Sequence, residues 1–492
     1  METQTRALES SRGVKVSYAA KFRLTNTTSH IKNFVREQGL AITRIYHSFR
    51  PAKPIQPTEH VEVMESKPTE SRRFFTKAIA TTADYPTDGY GSADDDPTTH
   101  MSTPQLIAYH GYAAESHTIV TDDGYILTIH RIPHGRKKKS DPKKTVLLHH
   151  GLLGSSADWI LPGPEKGLAY ILADAGCDVW MANVRGNTYS RSHTHLPVTS
   201  AAFWNFTFHE VSQHDLPAVI DYIMNLKGWD VKINYIGHSM GTTVLFALLS
   251  TKTHYNKVLK AGFALAPVAY MTDIKSPIRI LAKFTNKIEY LMKLLGANEF
   301  LPQSAVLRWL SKYTCETSYG VALCENSIFV LCGFDEKQFN RTLLPMILAH
   351  VPAGASTKTL VHYAQEIRSG KFQQFDYGSA GNLRQYGKPD PPEYPLRNIT
   401  LPIALFSAAN DWLASELDIT NLYRHLANPI EHYTVPLDTF NHIDFIWGKD
   451  APTLVYKELL RVLLNDGSES ESSDSNDQRS EATTNSNDID QF

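Results

Sequence analysis

The run Ile236-Gly-His-Ser-Met-Gly-Thr-Thr243 contains Gly-x-Ser-x-Gly, with Ser239 between Gly237 and Gly241. A short β-branched stretch, Ile233–Ile236, precedes it and a helical run follows. A serine on so tight a strand-to-helix turn takes a strained backbone conformation, and its neighbours two positions away must lack side chains for the turn to close. The turn exposes the hydroxyl at a helix N-terminus, which makes Ser239 a candidate nucleophile. A glycine-tightened loop of no chemical consequence is the bland alternative. A hydroxyl is a poor nucleophile until a base takes its proton, so a histidine and an orienting carboxylate are expected as well.

Both are expected downstream, the acid before the histidine. After the apolar run Ile403-Ala-Leu-Phe-Ser the chain reads Ala408-Ala-Asn-Asp411-Trp-Leu, an acid in the turn after a core strand. A second plausible strand, Tyr433-Thr-Val-Pro, is followed by Phe440-Asn-His442-Ile-Asp444-Phe. Asp411 is therefore the expected orienting acid and His442 the expected base. His425 reads as mid-helix and His432 as lying in or beside the strand, so neither has the loop freedom the role needs. Asp444 competes with Asp411, but two residues from His442 in an extended segment it would point the other way. A plain surface acid remains the alternative for Asp411.

Attack of Ser239 on an acyl carbon creates an oxyanion that needs two preorganised N–H donors. One is expected from the backbone of Met240. The other is expected from Leu152, in the loop His149-His150-Gly151-Leu152-Leu153-Gly154 after the apolar stretch Thr145–Leu148. No Lys-Ser/Thr follows this glycine-rich loop, which disfavours a phosphate cradle.

These residues need a scaffold. Short, nearly continuous apolar runs recur at Thr145-Val-Leu-Leu, Asp178-Val-Trp-Met-Ala, Ile233-Asn-Tyr-Ile, Gly262-Phe-Ala-Leu-Ala and Ile403-Ala-Leu-Phe-Ser. Helical patterns over Leu168–Ala175, Leu216–Leu226 and Thr243–Ser250 lie between several of them. Strands buried on both faces and alternating with helices predict an α/β fold with a doubly wound, mostly parallel sheet. Tyr125–Ile132 alternates like an early antiparallel or edge strand. From 272 to 395 the rhythm changes to amphipathic helical patterns, such as Ile278 to Leu295 and Val306 to Leu310. This predicts a mostly helical cap or lid inserted between two parts of the core, 101–271 and 396–465, over the carboxyl ends of the strands.

The termini differ from this core. Residues 1–100 form a basic, then Pro- and Asp/Gly-rich leader, in which only 30–49 has a helical apolar pattern, and Met1-Glu-Thr-Gln-Thr-Arg lacks the form of a secretory signal. Residues 466–492 are acidic and Ser/Asn-rich and are expected to be a disordered tail. Across 492 residues the formal net charge is -2, so nothing marks a nucleic-acid binder, and no apolar run is long enough to span a bilayer. Cys177, Cys315, Cys324 and Cys332 have the spacing of neither a zinc site nor a small disulfide scaffold.

The chain also resembles a known family, the animal acid lipases of the gastric and lysosomal group, from about Pro104 to about Leu464. The segments that carry the likeness include Asp123-Gly-Tyr-Ile-Leu, His150-Gly-Leu-Leu-Gly-Ser-Ser, Asn183-Val-Arg-Gly-Asn-Thr-Tyr, Gly237-His-Ser, Pro352-Ala-Gly-Ala-Ser and Asn441-His-Ile-Asp-Phe-Ile-Trp. The resemblance implies the α/β-hydrolase fold and hydrolysis of triacylglycerols or steryl esters at a lipid–water interface. It implies Ser239, Asp411 and His442 as triad, Leu152 and Met240 as oxyanion donors, and neither cofactor nor metal. It further implies a disulfide between Cys315 and Cys324, with Cys332 free, and a secreted or lysosomal location that would suit the Asn-x-Ser/Thr sites at Asn205, Asn340 and Asn398. Met240 departs from the family, whose members usually carry Gln there; the backbone N–H is unaffected. Thioesterase, acyltransferase or soluble carboxylesterase activity on the same fold is the alternative, and a lipid-binding protein without catalysis is the remaining one.

Overall fold

The computed structural model describes residues 97–137, 144–282, 298–301 and 329–465. The leader helix expected over 30–49, the acidic tail, both cysteines of the expected disulfide and the helical patterns expected over 283–295 and 306–310 lie outside the described residues.

The strands are β1 (Glu115–Val120), β2 (Tyr125–Ile132), β3 (Lys144–His149), β4 (Cys177–Met181), β5 (Ser192–His193), β6 (Ile233–His238), β7 (Leu259–Leu265), β8 (Glu299–Phe300), β9 (Ala355–Ser356), β10 (Ile403–Ser407) and β11 (Pro429–Thr434). Nine of them form one sheet in the order β1-β2-β4-β3-β6-β7-β10-β11, with β5 beside β2. From β4 to β11 every pairing is parallel, whereas β1, β2 and β5 join antiparallel. The five central strands β3, β4, β6, β7 and β10 are almost entirely buried. That burial follows from their apolar composition, because helices such as Leu168–Asp174, Leu216–Lys227 and Met240–Thr251 cover the two faces. Burying Leu147, Ile236, Phe263 and Leu405 contributes about 1.5–3 kcal/mol each.

The expected strands and helices recur within a few residues. β1 was missed, because its sequence Glu-Ser-His-Thr-Ile-Val places only His117 and Ile119 inward. In the insert, the described residues include helices Ile278–Ala282, Leu344–His350, Thr357–Ser369 and Ser379–Tyr386, together with a short antiparallel pair, β8 with β9. The region is thus mostly but not wholly helical. No helix among the described residues is long and apolar enough to cross a membrane.

Register brings the relevant strand ends together. His149 of β3 lies opposite Gly237 of β6, and His238 opposite Leu265 of β7. The chain leaves β3, β6, β10 and β11 at the same carboxyl edge of the sheet, where open α/β sheets bind ligands.

Candidate active site

β6 ends directly before Ser239, which adopts φ 53° and ψ -118°. Its N–H donates to the Leu265 carbonyl at 3.1 Å, while its own carbonyl accepts from Thr242 N–H and Oγ1 at 2.9 and 2.6 Å. The turn is closed on both sides by glycine. A Cβ on Gly237 would lie 2.8 Å from the Gly241 carbonyl carbon, and one on Gly241 would collide with the His149 carbonyl oxygen. Only hydrogen fits at either position, so the elbow can press against the end of β3.

The loop after β11 delivers His442. Its Nε2 lies 2.8 Å from Ser239 Oγ and its Nδ1 lies 2.8 Å from Asp411 Oδ2. Asp411 Oδ1 accepts the backbone N–H groups of Leu413 and Ala414 at 2.8 and 2.7 Å, so the carboxylate only accepts. Nδ1 must then donate to Asp411, which leaves the Nε2 lone pair for the serine proton. Asp411 and His442 are buried and Ser239 is half-buried.

Asp444 does not compete with Asp411, although for a different reason from the extended geometry expected. It opens a short helix, Asp444–Trp447, and its Oδ2 accepts the Asn441 N–H at 2.8 Å. Burial pushes its carboxyl well above the usual range. His425 is the last residue of helix Glu416–His425, and His432 lies within β11 and faces Ser407 Oγ at 3.1 Å. Neither reaches Ser239.

Leu152 and Met240 line one small cavity together with Leu153, Val184, Phe206 and Val211. Neither of the two backbone amides expected as oxyanion donors has a backbone acceptor among the described residues.

Several supporting residues lie in segments already named, but sequence reasoning gave them no role. Asn441 Nδ2 donates to Gly333 O at 2.9 Å, and its Oδ1 accepts from Ile443 and Asp444 N–H. His238 Nε2 donates to the His442 carbonyl at 2.9 Å. Burial holds His238 at about 3, with the neighbouring His442 ring adding to the shift, so it stays neutral. Arg185, fully buried beside the cavity, bridges Asp123 and Asp215 and stacks 3.9 Å over the Tyr125 ring. Among the described residues one group offers cation ligands, Asp122, Asp123 and His214, but Asp123 is already paired with Arg185 at 2.6 Å. Cys177 and Cys332 are free thiols, and burial pushes Cys177 up to about 11.

A family model described as a partial alpha/beta-hydrolase lipase region matches residues 103–163, and one described as alpha/beta hydrolase fold matches residues 144–285. The chain is 41% identical over 372 residues to the lysosomal acid lipase/cholesteryl ester hydrolase of Homo sapiens, covering 75% of this chain and 92% of that one. It is 40% identical over 380 residues to the gastric triacylglycerol lipase of Bos taurus, covering 76% and 94%. Lipase 3 of Drosophila melanogaster is 42% identical over 356 residues, covering 72% and 90%. Likeness of this degree, over nearly the full length of each relative, means that the chain belongs to the acid lipase family of α/β-hydrolases and is a carboxylic ester hydrolase.

Proposed function

We propose that Ser239, His442 and Asp411 form the catalytic triad, with the Leu152 and Met240 amides as oxyanion hole, and that the substrates are triacylglycerols or steryl esters. The observation that carries this reading is the His442 ring, bonded at 2.8 Å to Ser239 Oγ on one side and at 2.8 Å to Asp411 on the other. Ser239 Oγ attacks the ester carbonyl carbon as Nε2 of His442 takes the hydroxyl proton. The carbonyl π electrons move to oxygen, where the two amides meet them. Collapse of this intermediate breaks the bond to the alcohol, which leaves with the proton returned by Nε2. Water, deprotonated by the same nitrogen, then cleaves the acyl-enzyme and releases the fatty acid. Asp411 holds the ring in its tautomer and stabilises the imidazolium that forms twice per cycle.

The names of the relatives supply the two lipid classes. Their lysosomal and gastric settings support an oxidising lumen or secretion for this chain, where a Cys315–Cys324 disulfide would persist. Asn205 and Asn398 are exposed, as glycan acceptors must be. The insert at 272–395 serves as the cap through which lipid reaches Ser239. Purified protein should be labelled by a fluorophosphonate and should hydrolyse dispersed trioleoylglycerol, cholesteryl oleate or both. Absence of labelling would overturn the triad, and activity confined to soluble esters or thioesters would overturn the substrate class.

A further inference from the structure

The loop that presents Leu152 is a tight one. Gly154 N–H closes it on the Gly151 carbonyl at 3.2 Å, and Leu153 sits at φ 64°, in the left-handed region. It is fastened outward, because Leu153 O accepts Ala353 N–H at 2.7 Å and Ser156 N–H donates to Asn183 Oδ1 at 2.8 Å. On its inner side lies a carboxyl group. Asp158 is 3% exposed, and its Oδ2 fills the space that a Cβ on Gly154 would occupy. Its Oδ1 has no hydrogen-bond partner, and none of the ion pairs among the described residues includes it.

We propose that Asp158, as a neutral acid, braces the Gly151–Gly154 turn and so positions the Leu152 amide for the oxyanion, a role that rests on the hydrolase reading above. A buried carboxylate without a counter-ion costs far more than a buried carboxylic acid. Burial pushes Asp158 up to about 7, and the Ser155 amide beside it pulls less strongly the other way. The titratable groups on the elements packed against Ser156–Trp159 are His149 and His150 on and just after β3, Asp444 on its short helix, and Lys144 at the opposite end of β3, where its Nζ donates to the Leu463 carbonyl at 2.7 Å; His130 is bonded to Ser156 Oγ. Burial keeps the three histidines uncharged, with His130 and His149 at about 3 and His150 at about 4, and pushes the Asp444 carboxyl up. Among the described residues no cation forms an ion pair with Asp158. Once charged, it must draw in water or move, and the backbone its Oδ2 presses against is Gly154, in the turn that holds Leu152. A negative charge two residues beyond Leu152, against Gly154, also opposes the oxyanion itself.

The working form is protonated, so kcat should fall as pH rises above about 7, by roughly tenfold per unit if the ionised form is inactive. Hydrolysis of monomeric 4-methylumbelliferyl butyrate, corrected for spontaneous hydrolysis, reads this out between pH 6 and 9. The parent should lose roughly 30- to 100-fold in kcat over that range with KM little changed. Asp158→Asn, of the same shape and permanently neutral, should stay within about threefold of the parent at pH 6 and lose the alkaline decline. Asp158→Ala removes the brace as well as the charge. It should be about tenfold slower at every pH, again without the decline, and serves if the asparagine variant does not fold. A flat parent profile, or an alkaline decline retained in either folded variant, overturns the proposal while leaving the triad intact. A parent that no fluorophosphonate labels overturns the hydrolase reading, and the role of Asp158 with it.

Discussion

The carbonyl oxygen of His442 accepts a hydrogen bond from Nε2 of His238 at 2.9 Å, so the residue before the proposed nucleophile holds the backbone of the proposed base. The two lie 204 positions apart in the chain, and their rings stand 5.0 Å apart. Because His238 is buried and neutral, it fixes distance without adding charge beside an imidazole that must become positive.

His238→Phe keeps a ring of similar size and removes the donor. The His442 loop then loses its inner anchor, and a small displacement of the base is expensive in an oriented reaction. We expect kcat on a soluble ester to fall roughly 10- to 100-fold with KM within about threefold, and fluorophosphonate labelling to slow in proportion. An unchanged kcat in a folded variant would mean that the anchor is dispensable.

Ser239, the proposed nucleophile, sits in a strained backbone conformation. Its φ of 53° with ψ -118° is a conformation that glycine adopts more easily. Ser239→Ala should abolish labelling and lower turnover by about 10⁴- to 10⁶-fold while preserving the fold. Ser239→Gly should be equally inactive yet more resistant to urea than the alanine variant, by about 1 kcal/mol. If glycine proves the less stable of the two in urea titrations, the elbow stores no strain at Ser239.

Much of this site is legible in the sequence because its parts are local. Gly-x-Ser-x-Gly lies within five residues, and Asp411 and His442 each follow a recognisable apolar strand. The central strands are legible for a similar reason, since burial on both faces leaves a continuous apolar run. β1 escapes because an edge strand with one polar face needs few apolar residues. The support of the site is less legible still. His238 with His442, Arg185 with Asp123 and Asp158 against Gly154 are contacts between side chains and segments that no spacing rule connects. Asp444 shows a subtler limit: its exclusion rested on an extended backbone, whereas it is helical and turned aside by the Asn441 amide.

The two acids near His442 should separate cleanly on substitution. Asp411→Asn places an amide where the carboxylate accepts two backbone N–H groups and the ring proton, so either a donor faces a donor or the imidazole takes the wrong tautomer. Turnover should fall by about 10⁴-fold. Burial pushes the Asp444 carboxyl well above the usual range, and its one side-chain hydrogen bond among the described residues comes from the Asn441 amide, so Asp444→Asn should keep turnover within a few fold. Steady-state kinetics on one soluble ester compares them, and the reverse ranking would make Asp444 the orienting acid.

Val330, Leu331 and Phe334 are 39%, 41% and 44% exposed, an unusual density of apolar surface for one short segment. The segment is tied to the triad loops, because the Cys332 carbonyl lies 3.4 Å from both Trp412 and His442 N–H and the Phe334 ring packs edge-on against Trp412 at 5.6 Å. A water-soluble substrate gains nothing from such a rim. A lipid droplet does, at about 25 cal/mol per Å² of apolar area taken from water. Val330→Asp and Leu331→Asp each place a charge where hydrocarbon should lie, without touching Ser239, His442 or Asp411. We expect hydrolysis of dispersed trioleoylglycerol to fall at least about tenfold in either variant, while a monomeric short-chain ester is turned over within about twofold of the parent. Adsorption of the Ser239→Ala protein to phosphatidylcholine-coated droplets, with and without Leu331→Asp, separates loss of binding from loss of chemistry. Equal losses on both substrates would place these residues in the fold or the acyl pocket, and equal adsorption would remove the rim from the lipid contact altogether.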